Sequence, residues 1–278
     1  MNVAKLISVG EKAYYPFKSY PSQPCETLLF PGCAFASQFP RTMDALAQRC
    51  REAGFGVAYD CCGINLEGYG EFAHAERVMR QLNERFEKLG VKRLILVCPN
   101  CLNCFEGKTH CETLSIFDVF DELGVEGAGE FSSGSLFTPC PDKKDHALEA
   151  KLRSLAPLDA VHTMQGVACC GLRPDIASKG PESVQKLSNL AISKAENKPI
   201  YSYCASCLGQ FARMGYTQSY HVVSVLLGIN EEPDAGRAFL NRAKRKFDRN
   251  TNPIRPAYTR AAEAVSASEI NPDGESRA

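Results

Sequence analysis

The sequence predicts an α/β fold of two pseudo-symmetric repeats, each a small parallel sheet flanked by helices. Three observations predict it. A frame of five cysteines occurs twice, strands alternate with amphipathic helices in each half, and the cysteines follow strands directly. In the first frame 27 residues separate Cys33 from Cys61-Cys62-Gly63, and 34 more lead to Cys98-Pro99-Asn100-Cys101. In the second, 28 residues separate Cys140 from Cys169-Cys170-Gly171, and 32 lead to Cys204-Ala205-Ser206-Cys207. Matching cysteines are offset by 107, 108 and 106 residues, which marks an internal duplication.

Taken in order, residues 1–25 form an arm with Tyr14-Tyr15-Pro16-Phe17 and Tyr20-Pro21, expected to be extended and to lack a core of its own. The first unit spans 26–125. Thr27 to Phe30 is a short apolar strand running toward Cys33. Met43, Leu46, Ala47, Cys50 and Ala53 share a helix face that Gly54 closes. Phe55 to Tyr59 is a strand leading to Cys61. Phe72, Ala75, Met79, Leu82, Phe86 and Leu89 mark a long amphipathic helix closed by Gly90. Leu94 to Val97 is a buried strand that ends at Cys98. Leu114, Phe117, Phe120 and Leu123 suggest a helix over 113–124.

Residues 126–134, rich in Gly and Ser, read as a linker. The second unit, 135–229, repeats the plan. Strands are expected at Ser135–Thr138, Ala160–Thr163 and Pro199–Tyr203, each leading to a cysteine. Helices are expected over Lys143–Leu155, around Val184, Leu187 and Ala191, and at Val222–Leu227. Residues 230–278 hold a C-terminal helix and then, from about Phe247, a tail without periodicity that reads as disordered. Strands joined by helices pair in parallel through right-handed crossovers. The carboxyl ends of such strands share one sheet edge, where ligands bind. Thiols distant in sequence are thereby brought together.

Five thiols exceed the four ligands of a structural zinc. Thiolates also bind iron–sulfur clusters, which hold several irons, so adjacent cysteines can reach different irons of one cluster. The glycine after each pair is expected to let backbone approach a bulky inorganic core.

The remaining composition excludes more than it assigns. Formal net charge is zero, so nothing points to nucleic acid, and no apolar run is long enough to span a membrane. Fourteen cysteines in a chain of 278 residues without a secretion signal point to a reducing, cytoplasmic compartment and metal binding, not disulfides. No Gly-rich fingerprint follows a strand, so no flavin or nicotinamide site is expected. His74, His110, His146, His162 and His221 share no motif and read as surface or satisfied histidines. No catalytic residue is assigned.

Cys…CCG…CxxC, present twice across about residues 26–228, resembles the cysteine-rich CCG domain of the catalytic subunit of heterodisulfide reductase. It is similar also to the iron–sulfur subunits of glycolate and lactate oxidation complexes. The resemblance implies an oxidoreductase subunit with two [4Fe-4S] clusters, noncubane in form. Cys33, Cys61, Cys62, Cys98 and Cys101 would hold one, and Cys140, Cys169, Cys170, Cys204 and Cys207 the other. It implies a small disulfide substrate split between the clusters. Its partners would be a ferredoxin-like iron–sulfur subunit and a flavoprotein or membrane electron donor, through which the chain would associate with a membrane.

Other readings of the same residues stay open. Cys98, Cys101 and Cys104 also spell the opening of a ferredoxin-type cubane motif, although Cys111 falls too late to complete it and Gln210 replaces Cys104 in the second unit. Zinc in one unit would make the chain a zinc-stabilised assembly protein. A non-catalytic electron relay of a flavin-dependent complex is the third. Cys25, Cys50, Cys104 and Cys111 lie outside the repeated frame and read as structural or spare.

Overall fold

Each half of the chain builds a four-stranded, wholly parallel sheet. The computed structural model describes residues 9–125 and 129–254. The first sheet joins β1 (Thr27–Phe30), β2 (Gly56–Val57), β3 (Arg93–Leu96) and β4 (Glu112–Ser115) in the order β2-β1-β3-β4. The second joins β5 (Gly134–Leu136), β6 (Val161–Thr163), β7 (Ile200–Ser202) and β8 (Ser219–His221) in the order β6-β5-β7-β8. The orders are the same one half-chain apart, as the duplicated frame predicts.

Period-2 alternation decides what each sheet face buries. Leu28 and Phe30 of β1, with Leu94 and Leu96 of β3, face Leu82 and Phe86 of helix α5 (Phe72–Leu89). Leu29 and Ile95 face the other way, toward Met43, Leu46 and Cys50 of α3 (Pro40–Glu52). Both faces are covered, so β1 is buried throughout, as parallel sheets require. The α3 face continues into the second half: Phe35 and Phe39 belong to one cluster with Phe137, Phe211 and Val222. The two halves thus share a core.

Helices end where the sequence provides a left-handed cap, as at Gly90 after α5 (φ 72°). The expected strands and long helices occur within a few residues of their predicted bounds, apart from the differences that follow. Residues 113–124 are not a helix. Glu112–Ser115 pairs with β3 in register, and Ile116–Val119 is a 3₁₀ turn closed by a reciprocal Ser115–Asp118 capping box. Apolar residues every third position suit that tighter helix as well as an α-helix. Helix α7 (Ala147–Leu155) begins at Ala147, not Lys143, because His146 takes a left-handed backbone (φ 55°). Strand β8 was not expected, and β2 has two residues where five were expected. Phe72, placed on the buried face of α5, is 63% exposed.

The segments outside the repeat pack onto the first half. The described arm begins with a helical turn, α1 (residues 9–13), and buries Tyr15 and Phe17. Ser19 pairs with Tyr59 in an antiparallel bridge. Helix α12 (Ala238–Lys246) lies against α2 (Cys33–Gln38), the helix that begins with the first framed cysteine. The following residues, expected to lack structure, are held through Ile254: Val57 N–H donates to Thr251 O, and Ile254 N–H donates to Arg51 O. The rest of the expected tail, 255–278, and the start of the linker, 126–128, lie outside the described residues.

Candidate metal centre

All ten framed cysteines follow the carboxyl ends of strands. Cys33 comes after β1, Cys61 and Cys62 after β2, and Cys98 after β3; Cys140, Cys169, Cys170 and Cys204 stand likewise after β5, β6 and β7. Cys101 and Cys207 lie one turn into the helices that follow, α6 (Pro99–Phe105) and α10 (Ala205–Arg213).

The parallel topology gathers each set of five. In the first half Cys62 and Cys101 sulfurs are 3.2 Å apart. Cys33 interacts with Cys61, and Cys98 with Cys101. In the second half the links run Cys140–Cys169, Cys169–Cys170, Cys170–Cys207 and Cys207–Cys204. Three of these pairings correspond between the halves, and the Cys169–Cys170 link joins the second set into one run where the first is a pair and a trio. Among the described residues no three His, Cys, Asp or Glu side chains stand as ready ligands of one metal ion.

Protons are shared unequally along these chains. A hydrogen bond from Cys61, helped by the Lys12 ammonium, draws Cys33 down to about 6 against the effect of burial. Hydrogen bonds from Cys140 and Cys170 draw Cys169 to about 2. Cys25 and Cys50 have no such partners, and burial pushes both thiols up, Cys25 to about 11. They behave as apolar core residues.

The first set of thiols opens onto a cavity of about 270 Å³. Cys33, Cys61, Cys62, Cys98 and Cys101 all line it. The second half contributes Leu172 and Ser206, which neighbour its own thiols, and Arg213. Lys12 and Arg242 complete the wall. Asn100 of the first CxxC donates toward Cys204 of the second at 3.7 Å, so the two sites adjoin.

The residues fit a bulky thiolate-bound group. At Gly32 (φ 82°) a side chain would bring Cβ within 3.0 Å of Cys98 Cβ and 3.1 Å of Cys101 Sγ, so only glycine leaves those thiols room. The glycines after the cysteine pairs also make a contact within the protein itself. Gly63 and Gly171 do have positive φ (75° and 99°). Yet a Cβ there would meet Val78 and Val184, on the long helices, and not the thiols. They permit close helix packing.

A family model described as "CCG: Cysteine-rich domain" matches residues 27–106 and again 135–212. The chain belongs to the CCG cysteine-rich family. Among curated proteins it is similar to an EtfAB:quinone oxidoreductase of Syntrophomonas wolfei subsp. wolfei (strain DSM 2245B / Goettingen), 33% identical over 82 residues. That match covers 27% of this chain and 12% of the relative, so the chain spans a small part of that protein's length.

Of the cysteines outside the frame, Cys104 reaches the first thiol set. Its sulfur donates to Cys62 O at 3.5 Å and touches the Cys62 thiol. In the second half Gln210 at the matching position donates to Ser188, whose hydroxyl donates to Cys170 O. Both residues therefore brace the carbonyl of the second cysteine of the pair. Cys111 donates instead to Val91 O, away from the site. Sequence reasoning missed Lys12, Arg213 and Arg242, because none belongs to the repeated motif. His221 is buried against Phe35 and Phe39, and its Nδ1 accepts from Val223 N–H, a structural role.

Proposed function

We propose that the chain is the iron–sulfur subunit of an oxidoreductase, resembling the catalytic subunit of heterodisulfide reductase, with a cluster held by each set of five cysteines. The observation that carries this reading is the gathering of five cysteines after the strand ends of each sheet, with the three thiol pairings of the first set repeated in the second. When bound, two noncubane [4Fe-4S] clusters would supply one electron each. Cys33, Cys61, Cys62, Cys98 and Cys101 would hold the first; Cys140, Cys169, Cys170, Cys204 and Cys207 would hold the second.

The cavity wall supports a small polar substrate beside the first set. Asn100, Ser206 and Gln38 offer hydrogen bonds, and Lys12, Arg213 and Arg242 offer positive charge. A disulfide placed there would take two electrons and two protons, break its S–S bond and leave as two thiols. Electrons would come from a ferredoxin-like subunit and, behind it, a flavoprotein or membrane donor.

One observation favours a relay without substrate chemistry. The similar protein is named an EtfAB:quinone oxidoreductase, and this chain matches only 12% of it. Anaerobic protein reduced with a one-electron donor decides between the two. If the chain is a disulfide reductase, a small disulfide reoxidises it and two thiols appear per disulfide consumed. If the reduced signal persists with the disulfide present, the relay stands and the reductase reading fails.

A further inference from the structure

The two thiol sets are equivalent in topology but not in electrostatic setting. Lys12 Nζ donates to Cys33 Sγ at 3.4 Å, and its side chain is 14% exposed. Glu11 pairs with Lys12 and also with Arg242 of α12, whose side chain is 17% exposed. Two cations and one carboxylate leave a net positive charge against the first set. Arg85 pairs with Asp60, the buried acid that precedes Cys61, and so offsets it.

Among the described residues no buried ammonium donates to a sulfur of the second set. Among the described residues the hydrogen bonds to its sulfurs come from thiols, backbone amides, the Ser206 hydroxyl and the Asn100 amide. Arg173, the cation after Leu172, interacts with Cys169 and Cys140, but it is half exposed and its charge is offset by Asp175. Lys143 Nζ donates to the Val167 carbonyl. Arg213 interacts with Cys170 and also lines the first cavity, so it does not distinguish the sites.

We propose that Lys12, held by Glu11 and backed by Arg242, is a positioning residue that raises the reduction potential of the first site above that of the second. This rests on reading the first five cysteines as ligands of one cluster. A fixed cation stabilises the more negative, reduced state, and hydrogen bonds to ligand sulfurs act in the same direction. Burial strengthens both effects by keeping water from screening them. An electron delivered by a one-electron donor protein then comes to rest at the first site, beside the cavity. The duplicated scaffold gains a direction from its two unduplicated ends.

The test is a redox titration of the full-length chain, purified anaerobically and followed by electron paramagnetic resonance. Two signals are expected, and the one that Cys62→Ala abolishes belongs to the first site. Lys12→Met is expected to move that signal to lower potential and leave the other in place, whereas Lys12→Arg keeps it near the wild-type value. Glu11→Gln removes the neutralising acid and is expected to move it upward, a readout that does not depend on losing Lys12. Loaded clusters whose potentials do not respond, or respond together, overturn the inference and leave the site assignment standing. Wild-type protein without iron overturns both.

Discussion

A cysteine's neighbours decide what its loss costs. Cys50 sits on the apolar face of α3, fully buried and without a sulfur partner. Cys50→Ala is expected to lower unfolding free energy on the order of 1 kcal/mol and to leave iron content unchanged. Cys62 touches Cys101 and lines the cavity. Cys62→Ala is expected to lose the first cluster's iron and, because metal binding and folding are coupled, more stability than Cys50→Ala. Cys104→Ala is expected to retain that iron, since its bond to the Cys62 carbonyl resembles the Gln210–Ser188 link in the other half. Iron analysis beside chemical denaturation separates the three. Loss of iron in Cys104→Ala would redraw the first ligand set around Cys101 and Cys104.

His221 gives a pH signature. Burial among phenylalanines draws it down to about 3, so the folded state holds it neutral. Its ordinary value is about 6.5, so the unfolded chain binds the proton first as pH falls. The stability it contributes is complete above about pH 6.5 and is lost as pH falls toward 3, at up to about 1.4 kcal/mol per pH unit. Urea unfolding at pH 7 and pH 5 is expected to show a smaller drop for His221→Phe than for wild type. Equal drops would contradict it.

At the scale of elements, remote side chains cap helices that lack caps of their own. Helix α3 begins after Phe39, which has no capping side chain. Its free amides are met by Glu231, far along the chain: Arg41 N–H at 2.9 Å and Thr42 N–H at 2.7 Å. A carboxylate at a helix amino terminus is favoured by the dipole as well. Asp142 does the same for α7, accepting from Leu148 and Glu149 N–H. Glu231→Ala is expected to cost about 1–2 kcal/mol in denaturant unfolding, within the range of a lost N-cap. Glu231→Gln, which keeps acceptor oxygen, is expected to cost less.

These contacts explain where sequence reading stops. Helix α5 was legible because its apolar period and Gly90 agree. Residues 112–119 were not, since a period near three suits two helix types and the pairing with β3 is a long-range fact. The ten framed cysteines could be read because a repeat betrays itself by spacing. Lys12 and Arg242 could not, for they reach the site from opposite ends of the chain and occur once. Phe72 fits the helix period yet is exposed, because period alone does not say where a covering surface ends.

The whole molecule is one duplicated unit made asymmetric by what flanks it. The shared core through Phe35, Phe39, Phe137 and Phe211 joins the two halves, whose sites adjoin where Asn100 meets Cys204. Iron and acid-labile sulfide, measured on the anaerobically purified chain, test the central claim most directly. Two clusters predict about eight of each per chain, falling by about half in Cys62→Ala and by about half in Cys170→Ala. Stoichiometric zinc without labile sulfide would contradict it.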